Sequence, residues 1–248
     1  MEKTGFKSHI SGQYNRNLEE LFNQVLEMGG LVESQLENAV EAIKGENRSL
    51  AKQVKQLDKA VNKDEIEIDR LCARVLARQQ PTASDLRLVV SAIRIAVDLE
   101  RIGDEAVNTS KLAIKMAKVK EIPCDTLPGF NGLMEIIAID LTMLKKVLNS
   151  FAQLDTSALS EIVDYETHVD AIKAKALVEI QYSLNNNTEA LAEYIMQMIY
   201  SIRAAERISS HILNICESIV YLVKGLHVRN MNAEKLKQFI DDVNAESV

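Results

Sequence analysis

A run of 92 consecutive residues, from Leu133 to Lys224, contains neither glycine nor proline. β-Turns, hairpins and bulges depend on these two residue types, so the run leaves almost no material for a sheet. The whole chain of 248 residues has only nine Gly and three Pro. An all-β chain and a Rossmann-type chain are therefore disfavoured, and we predict an all-α fold.

The chain divides near its middle, where Pro123 and Pro128 lie too close together for a helix to continue. A length near 250 residues fits either one large domain or two smaller ones, and this break favours two. We predict a first domain at residues 1–122 and a second at 123–248, the second ending in a short C-terminal tail.

The two halves also repeat each other. Residues Glu100–Asn108 match Glu206–Asn214 at an offset of 106, with Glu-Arg-Ile and the later Asn in register. Upstream, Asp58–Asn62 matches Glu166–Asp170 at an offset of 108. This repetition indicates an internal duplication, so both halves should share one architecture.

Each half carries three long segments with helical periodicity, separated by short connections that are typical of antiparallel neighbours. We therefore predict two tandem three-helix bundles related by internal duplication. A capping box is expected at Pro81–Asp85, and Asp155 is expected to begin the fifth helix. The predicted helices lie at about 11–44, 48–79, 83–119, 131–153, 156–185 and 188–224, with a short amphipathic helix at 233–243.

The composition excludes several classes of function and location. A formal charge of −7, a pI near 5.3 and 4% aromatic residues argue against a nucleic-acid partner. The longest uncharged runs span about nine residues against the roughly 20 of a membrane-spanning helix, and the N-terminus lacks an apolar signal-like stretch. We expect a cytoplasmic protein whose three cysteines, Cys72, Cys124 and Cys216, are packed thiols.

Acidic residues continue the apolar stripes of two helices. In the third segment the stripe that we predict to face the partner helices leads by steps of three and four to Glu100 and Asp104. That apolar stripe consists of Leu86, Val90, Ile93 and Val97. In the second segment Val54, Val61, Ile68 and Val75 recur every seven residues, beside a polar stripe of Asp58, Asn62, Glu65 and Asp69.

The second half repeats this pattern with Glu166, Asp170 and Glu206, but Lys173 stands where the first half has an acid. Carboxylates four apart point the same way from a helix, so two antiparallel helices can aim several at one point. Partly buried acids need a raised pKa, a basic partner or a bound cation. An all-oxygen site suits Mg, Mn or Ca, or iron when carboxylates bridge several ions, and zinc is a weaker candidate.

Two other interpretations stay open. The acids can form a solvated or salt-bridged edge, because Arg101 and Arg207 lie directly beside them in sequence. A carboxylate-bridged metalloenzyme in a helical bundle is the rival function. However, the sequence has no Glu-x-x-His motif, Gly-rich phosphate loop or Cys/His dyad, so we expect a protein that is not an enzyme.

Five sequence stretches in the same order resemble the PhoU family, the accessory and regulatory proteins of the phosphate-specific transport system. The resemblance spans nearly the whole chain, on the duplicated frame described above. The stretches are His9–Tyr14, Met28–Glu33, Arg78–Arg87, Leu99–Asp104 and Tyr221–Gly225.

The resemblance implies a cytoplasmic homodimer that negatively regulates phosphate uptake and the phosphate-starvation response. It implies two partners, the Pst transporter ATPase (PstB) and the PhoR histidine kinase, with contact to the membrane only through them. It also implies metal binding (Mg, Mn, Fe or Zn) through Glu/Asp-x-x-x-Asp pairs. These pairs match Glu65 with Asp69, Glu100 with Asp104, and Glu166 with Asp170, with Asp58, Asn62 and Glu206 nearby.

This chain departs from the family pattern in the second half. Where the family commonly has Glu-Arg-Ile-Gly-Asp, the sequence reads Glu206-Arg-Ile-Ser-Ser210. One expected carboxylate is absent there, and Lys173 replaces another. We therefore expect the second cluster to bind metal more weakly than the first, or not at all.

Overall fold

The computed structural model describes residues 12–118, 123–186, 192–229 and 231–245. Its regular elements are α-helices and one short 3₁₀ turn at Cys124–Thr126, and the described residues contain no strand. The all-α prediction is confirmed. The helices are α1 (Gly12–Lys44), α2 (Arg48–Gln79), α3 (Ala83–Met116), α4 (Phe130–Gln153), α5 (Leu159–Asn186), α6 (Ala192–Lys224) and α7 (Ala233–Ala245).

Most predicted helix ends agree with the structure within three residues. Three predicted ends, at residues 11, 119 and 188, lie outside the described part of the chain. The start of α5 differs because Asp155 forms a turn before the helix: its side chain accepts a hydrogen bond from the Ser157 amide (3.2 Å), and α5 begins at Leu159.

Local sequence explains several helix ends. Asn47 caps α2, because its Oδ1 accepts hydrogen bonds from the amides of Ser49 and Leu50, both at 3.0 Å. The predicted capping box before α3 was wrong. The Thr82 side chain makes no capping bond, and Asp85 is instead buried, where its carboxylate accepts a hydrogen bond from the Tyr14 hydroxyl of α1 (3.0 Å).

The helices form two bundles of three, as the repeat predicts. Helices α1, α2 and α3 pack against one another, and α4, α5 and α6 do the same, with α7 lying against α5. The two bundles meet mainly along α3 and α6, and also where α1 contacts α4. The predicted domain boundary between residues 122 and 123 stays a prediction.

The seven-residue apolar stripe of α2, from Val54 to Val75, is fully buried. The predicted apolar stripe of α3 was wrong, because Leu86 and Val97 are 38% and 41% exposed and Val90 and Ile93 are only half-buried. Helix α3 is covered on two sides, by its own bundle and by α6, so its buried face lies elsewhere. That face includes Leu88, Val89, Ala92, Ile95, Ala96, Leu99 and Ile102.

All three cysteines are buried and free, as expected for packed thiols. Burial raises the pKa of Cys72 and of Cys124 to about 12, and it also raises the pKa of Cys216. Across the four described ranges, no helix has an apolar stretch of the length that crossing a membrane requires.

Candidate metal-binding clusters

The first acidic cluster lies on adjacent faces of α2 and α3. Five of its six predicted members are half-buried, and Asp69 alone is exposed. The half-buried members are Asp58, Asn62, Glu65, Glu100 and Asp104. The structure therefore brings most of the predicted set to one edge of the first bundle and leaves Asp69 at its solvent side.

The acids of this cluster are close enough to repel one another. Burial raises the pKa of Glu100, and the charges of Asp104, Glu65 and Asp58 raise it further, while Arg101 lowers it. Burial also raises the pKa of Asp58; the hydrogen bond from Gln35 opposes this shift, and the charge of Asp104 adds to it. Ionised together, these carboxylates would therefore concentrate negative charge at one edge of the bundle, which Lys55 offsets in part at Asp58.

Basic side chains compensate little of this charge. Arg101 lies 3.5 Å from Glu100, and its side chain is 54% exposed, so this pair contributes little. Arg207 instead pairs across the two bundles with the buried Glu105 (2.8 Å). The salt-bridged interpretation thus applies only to the pair of Glu100 with the exposed Arg101. Among the described residues, the other acids of the cluster have no basic partner at salt-bridge distance.

Gln35 of α1 belongs to this cluster, and sequence reasoning missed it. Its amide Nε2 lies within hydrogen-bonding distance of three oxygens: Val54 O (3.3 Å), Asp58 Oδ1 (3.3 Å) and Gly103 O (3.1 Å). Gln35 is fully buried, and its Oε1 has no hydrogen-bond partner. Asn62 Oδ1 is buried and unpartnered as well.

A sequence signal for Gln35 did exist. The buried positions Leu21, Val25, Met28, Val32 and Ala39 advance along α1 by alternating steps of about three and four, and Gln35 occupies the step before Ala39. A polar residue on an otherwise apolar stripe of this kind needs an internal partner. Gln35 therefore marks the place where the polar cluster enters the core.

Gly103 lets these groups approach. A Cβ atom at this position would lie 2.8 Å from Gln35 Oε1 and 3.5 Å from Asp58 Oδ1. The glycine costs about 1 kcal/mol of helix propensity relative to alanine. The close approach of α1 and α2 side chains to the α3 backbone explains why glycine stands here in the middle of a helix.

The donor set of the first cluster fits a hard cation, since it combines carboxylates with two buried, unpartnered amide oxygens. The side chains are not yet gathered around a point: in the part of the chain that the structure describes, no three His, Cys, Asp or Glu residues converge as metal ligands do. Closing a site here requires side-chain rotation of the acids on α2 and α3.

The second cluster differs because it contains a base. Lys173 Nζ lies 2.9 Å from Asp170 Oδ1 and 3.3 Å from Glu206 Oε1, so the lysine joins α5 to α6. Glu166 is half-buried, and burial raises its pKa, as do the charges of Asp170 and Glu206. Ser210 does not replace the absent carboxylate, because its hydroxyl donates to the Glu206 carbonyl one turn earlier (3.4 Å).

Asp140 of α4 is the other residue that sequence reasoning missed. It is fully buried, and its Oδ1 accepts a hydrogen bond from the Ser209 hydroxyl at 2.5 Å, while its Oδ2 has no partner. Burial raises the pKa of Asp140 well above the ordinary value, and the charge of Glu206 adds to this shift. Ser209 follows Gly103 by 106 residues, the offset of the repeat, and Gln35 contacts Gly103 as Asp140 contacts Ser209. Gln35 and Asp140 therefore hold corresponding places in the two bundles.

Comparison with known proteins agrees with the duplicated helical frame. The family model for the PhoU domain matches twice, at residues 25–113 and 133–219, once in each bundle. The chain therefore belongs to the PhoU family.

Relatives cover almost the full length of the chain. The phosphate-specific transport system accessory protein PhoU homolog of Pseudomonas aeruginosa is 35% identical over 246 residues, which covers 99% of this chain and 100% of that protein. The phosphate-specific transport system accessory protein PhoU of Escherichia coli K12 is 33% identical over 240 residues, 97% of each chain.

Solved structures have the same fold. The crystal structure of PhoU from Pseudomonas aeruginosa matches with a TM-score of 0.80 at 36% identity, covering 86% of this chain and 100% of that one. The crystal structure of the phosphate transport system regulatory protein PhoU from Streptococcus pneumoniae matches with a TM-score of 0.77 at 29% identity, covering 87% and 99%.

Proposed function

We propose that the chain is a non-enzymatic adaptor that restrains phosphate uptake and the phosphate-starvation response. Its partners in this role are the Pst transporter ATPase (PstB) and the cytoplasmic part of the PhoR kinase. The observation that carries the proposal is the near-complete coverage of relatives named as accessory proteins of the phosphate-specific transport system.

The proposal includes a divalent cation bound at the first acidic cluster. Mutual repulsion among Glu100, Asp104 and Asp58, together with the unpartnered oxygens of Gln35 and Asn62, supports a cation between α2 and α3. When bound, the ion supplies positive charge to the carboxylates. Glu100 and Asp104 hold the α3 side of the site, and Asp58, Asn62 and Glu65 hold the α2 side, so the ion stiffens the first bundle as a docking surface.

Deletion of the gene in the native bacterium tests the regulatory role. In high phosphate the deletion should raise expression from promoters that the PhoB response regulator activates, because the kinase is no longer restrained. Complementation with the wild-type gene should restore low expression. Unchanged expression in the deletion strain would contradict the regulatory proposal.

Capture of the partners by the purified protein tests the adaptor role. The immobilised chain should retain the transporter ATPase and the cytoplasmic part of the kinase, and chelator should weaken the capture if the cation stiffens the docking surface. Retention of neither partner, with and without Mn²⁺, would contradict the adaptor mechanism while leaving the gene-deletion result intact.

The double variant Glu100→Gln, Asp104→Asn tests the cation. In chelator it should melt at least about 0.4–2 °C higher than wild type, since the like-charge pair Glu100/Asp104 at i, i+4 costs about 0.2–0.5 kcal/mol. Loss of the repulsion from Glu65 and Asp58 of α2 should add to this gain. In Mn²⁺ at about 100 times its Kd, wild type should gain about 2.7 kcal/mol, and the variant should gain almost nothing.

The matched control is Glu179→Gln, which removes an exposed carboxylate from α5. It should melt like wild type in chelator and respond to Mn²⁺ like wild type. If the double variant is less stable than wild type in chelator and keeps the full Mn²⁺ response, the acids form an ordinary salt-bridged edge and the cation proposal is wrong.

A further inference from the structure

The two halves of the duplication treat their acidic clusters differently. At the place where Glu65 stands in the first half, the second half has Lys173, 108 residues later. The ammonium of Lys173 lies 2.9 Å from Asp170 and 3.3 Å from Glu206, and only 27% of its side chain is exposed. It therefore occupies the space between the α5 and α6 carboxylates, where a cation shared by them would lie.

A second observation concerns a buried acid near Glu206. Asp140 is fully buried on α4, near enough to Glu206 for the two carboxylates to repel, and its Oδ2 has no hydrogen-bond partner. The equivalent residue in the first half, Gln35, is neutral. A buried carboxylate oxygen without a partner is costly unless a cation or proton compensates it. The second cluster is thus deeper and contains an acid that has no counterpart on α1.

We propose that Lys173 is a built-in cation that closes the acidic cluster of Glu166, Asp170 and Glu206, with Asp140 near Glu206, to divalent metal ions. This inference rests on the proposed function, in which the first cluster binds its cation from solution. A divalent ion entering the second cluster would have to break both ion pairs of Lys173 and then lie close to its displaced ammonium. Like-charge repulsion at such short range opposes binding. Once the ammonium is removed, Glu166, Asp170 and Glu206 remain with Asp140 near Glu206, and carboxylates suit Mg²⁺, Mn²⁺ or Ca²⁺. Among the described residues these carboxylates do not converge on one point, so an ion binds them only after side-chain rotation.

The closed site separates the roles of the two bundles. Stability of the second bundle should be independent of metal supply, because its carboxylates carry a covalently attached counter-charge. The first bundle should respond to metal, because it lacks an equivalent lysine. One chain would then combine a metal-responsive half with a metal-indifferent half.

Mn²⁺ titration of the full-length chain tests this inference. The variant Lys173→Met keeps side-chain length without charge, and Lys175→Met is the matched control at an exposed position two residues away. Both are made in the Glu100→Gln, Asp104→Asn background, so that the first cluster does not contribute. The chains are first stripped of metal with chelator and then titrated with Mn²⁺ by calorimetry. The chain that also carries Lys173→Met should bind at least one Mn²⁺ ion at least tenfold more tightly than the Glu100→Gln, Asp104→Asn parent does, and the chain with Lys175→Met should bind like the parent.

The melting temperature provides a second readout. Lys173→Met should melt lower than its parent in chelator and recover on addition of Mn²⁺, whereas Lys175→Met should show neither change. If Lys173→Met does not fold, Lys173→Gln takes its place, since an amide keeps hydrogen-bond donors at this position without the charge. Folded protein without the charge and without added Mn²⁺ binding would overturn the proposal.

The outcomes separate this inference from the proposed function. If the first cluster binds no metal but removal of the Lys173 charge creates Mn²⁺ binding, the proposed function loses its cation and the closed site stands. If wild type binds Mn²⁺ at the first cluster and the Lys173 variants gain none, the proposed function stands and the closed site is wrong.

Discussion

The substitution Gly103→Ala probes the point where three helices meet at the first acidic cluster. Position 103 lies in the interior of α3, so alanine gains about 1 kcal/mol of helix propensity. Against this gain, the new Cβ would lie 2.8 Å from Gln35 Oε1, closer than such atoms pack, and Gln35 must move. The sign of the effect depends on how much that movement costs.

The cost follows from the contacts of Gln35. Its Nε2 lies 3.1–3.3 Å from Val54 O, Asp58 Oδ1 and Gly103 O, and its two N–H groups can donate at most two full hydrogen bonds to these three oxygens. A buried amide that loses its partners costs about 1–3 kcal/mol. Subtracting the propensity gain of about 1 kcal/mol from this penalty leaves an expected net destabilisation of up to about 2 kcal/mol.

Gly30→Ala is the matched control. It also lies inside a helix, but nothing is within 4 Å of the position that its Cβ would occupy. It should stabilise the protein by about 1 kcal/mol. At about 2–4 °C per kcal/mol for a chain of this size, Gly30→Ala should raise the melting temperature by about 2–4 °C, and Gly103→Ala should lower it by up to about 8 °C.

Thermal unfolding in chelator, followed by circular dichroism, measures both variants on one scale. If Gly103→Ala stabilises the protein as much as Gly30→Ala does, Gln35 is not held between the helices and the geometry described for the cluster is wrong. If both variants are destabilised equally, the space around the new Cβ atom does not decide the effect of these substitutions.

Three further predictions concern other buried groups. Gly29→Ala should destabilise by about 1–3 kcal/mol before its propensity gain, because its Cβ would clash with the Leu148 side chain of α4; a melting temperature equal to that of Gly30→Ala would contradict this. Asp140→Asn should raise the free energy of unfolding at neutral pH. Burial raises the pKa of Asp140 in the folded state, so the wild-type protein becomes less stable as the pH rises above 3.8, the ordinary pKa of the unfolded chain, and the variant does not. Urea titrations should therefore show equal free energies of unfolding for the two proteins at acid pH and a higher value for the variant at neutral pH. The three thiols should not react with a disulfide reagent at pH 8 in native protein and should all react in urea, because burial raises the pKa of Cys72, Cys124 and Cys216; fast labelling of any native thiol would count against their packing.

Much of the fold is readable from the sequence because its signals are local or periodic. Absence of glycine and proline predicts helices, and the Glu-Arg-Ile repeat predicts two equivalent bundles. The buried face of α3 was misassigned because α6 of the other bundle covers part of it. A stripe of side chains on one helix does not reveal contacts with a helix more than 100 residues away, so Leu86 and Val97 looked buried and are not.

The sequence predicted the half-buried acids of the candidate site but not the fully buried residues Gln35 and Asp140. Glu100, Asp104 and Asp58 follow from spacing alone, since residues three or four apart share a helix face. Gln35 and Asp140 lie on the first helix of each bundle, far in sequence from the acids that they approach. Their signal is a polar residue on an apolar stripe, which indicates an internal partner without saying which one. The pairing of Lys173 with Glu206 depends on side-chain rotamers and therefore required the structure.

Anomalous diffraction from a crystal soaked in Mn²⁺ locates a bound ion in either acidic cluster. We expect an anomalous peak between α2 and α3, within about 2.6 Å of carboxylate oxygens of Glu100 and Asp104, and no peak beside Lys173. A saturating soak that leaves the space between α2 and α3 without a peak would show that the first cluster holds no cation, and an ion between Asp170 and Glu206 would show that Lys173 does not exclude one.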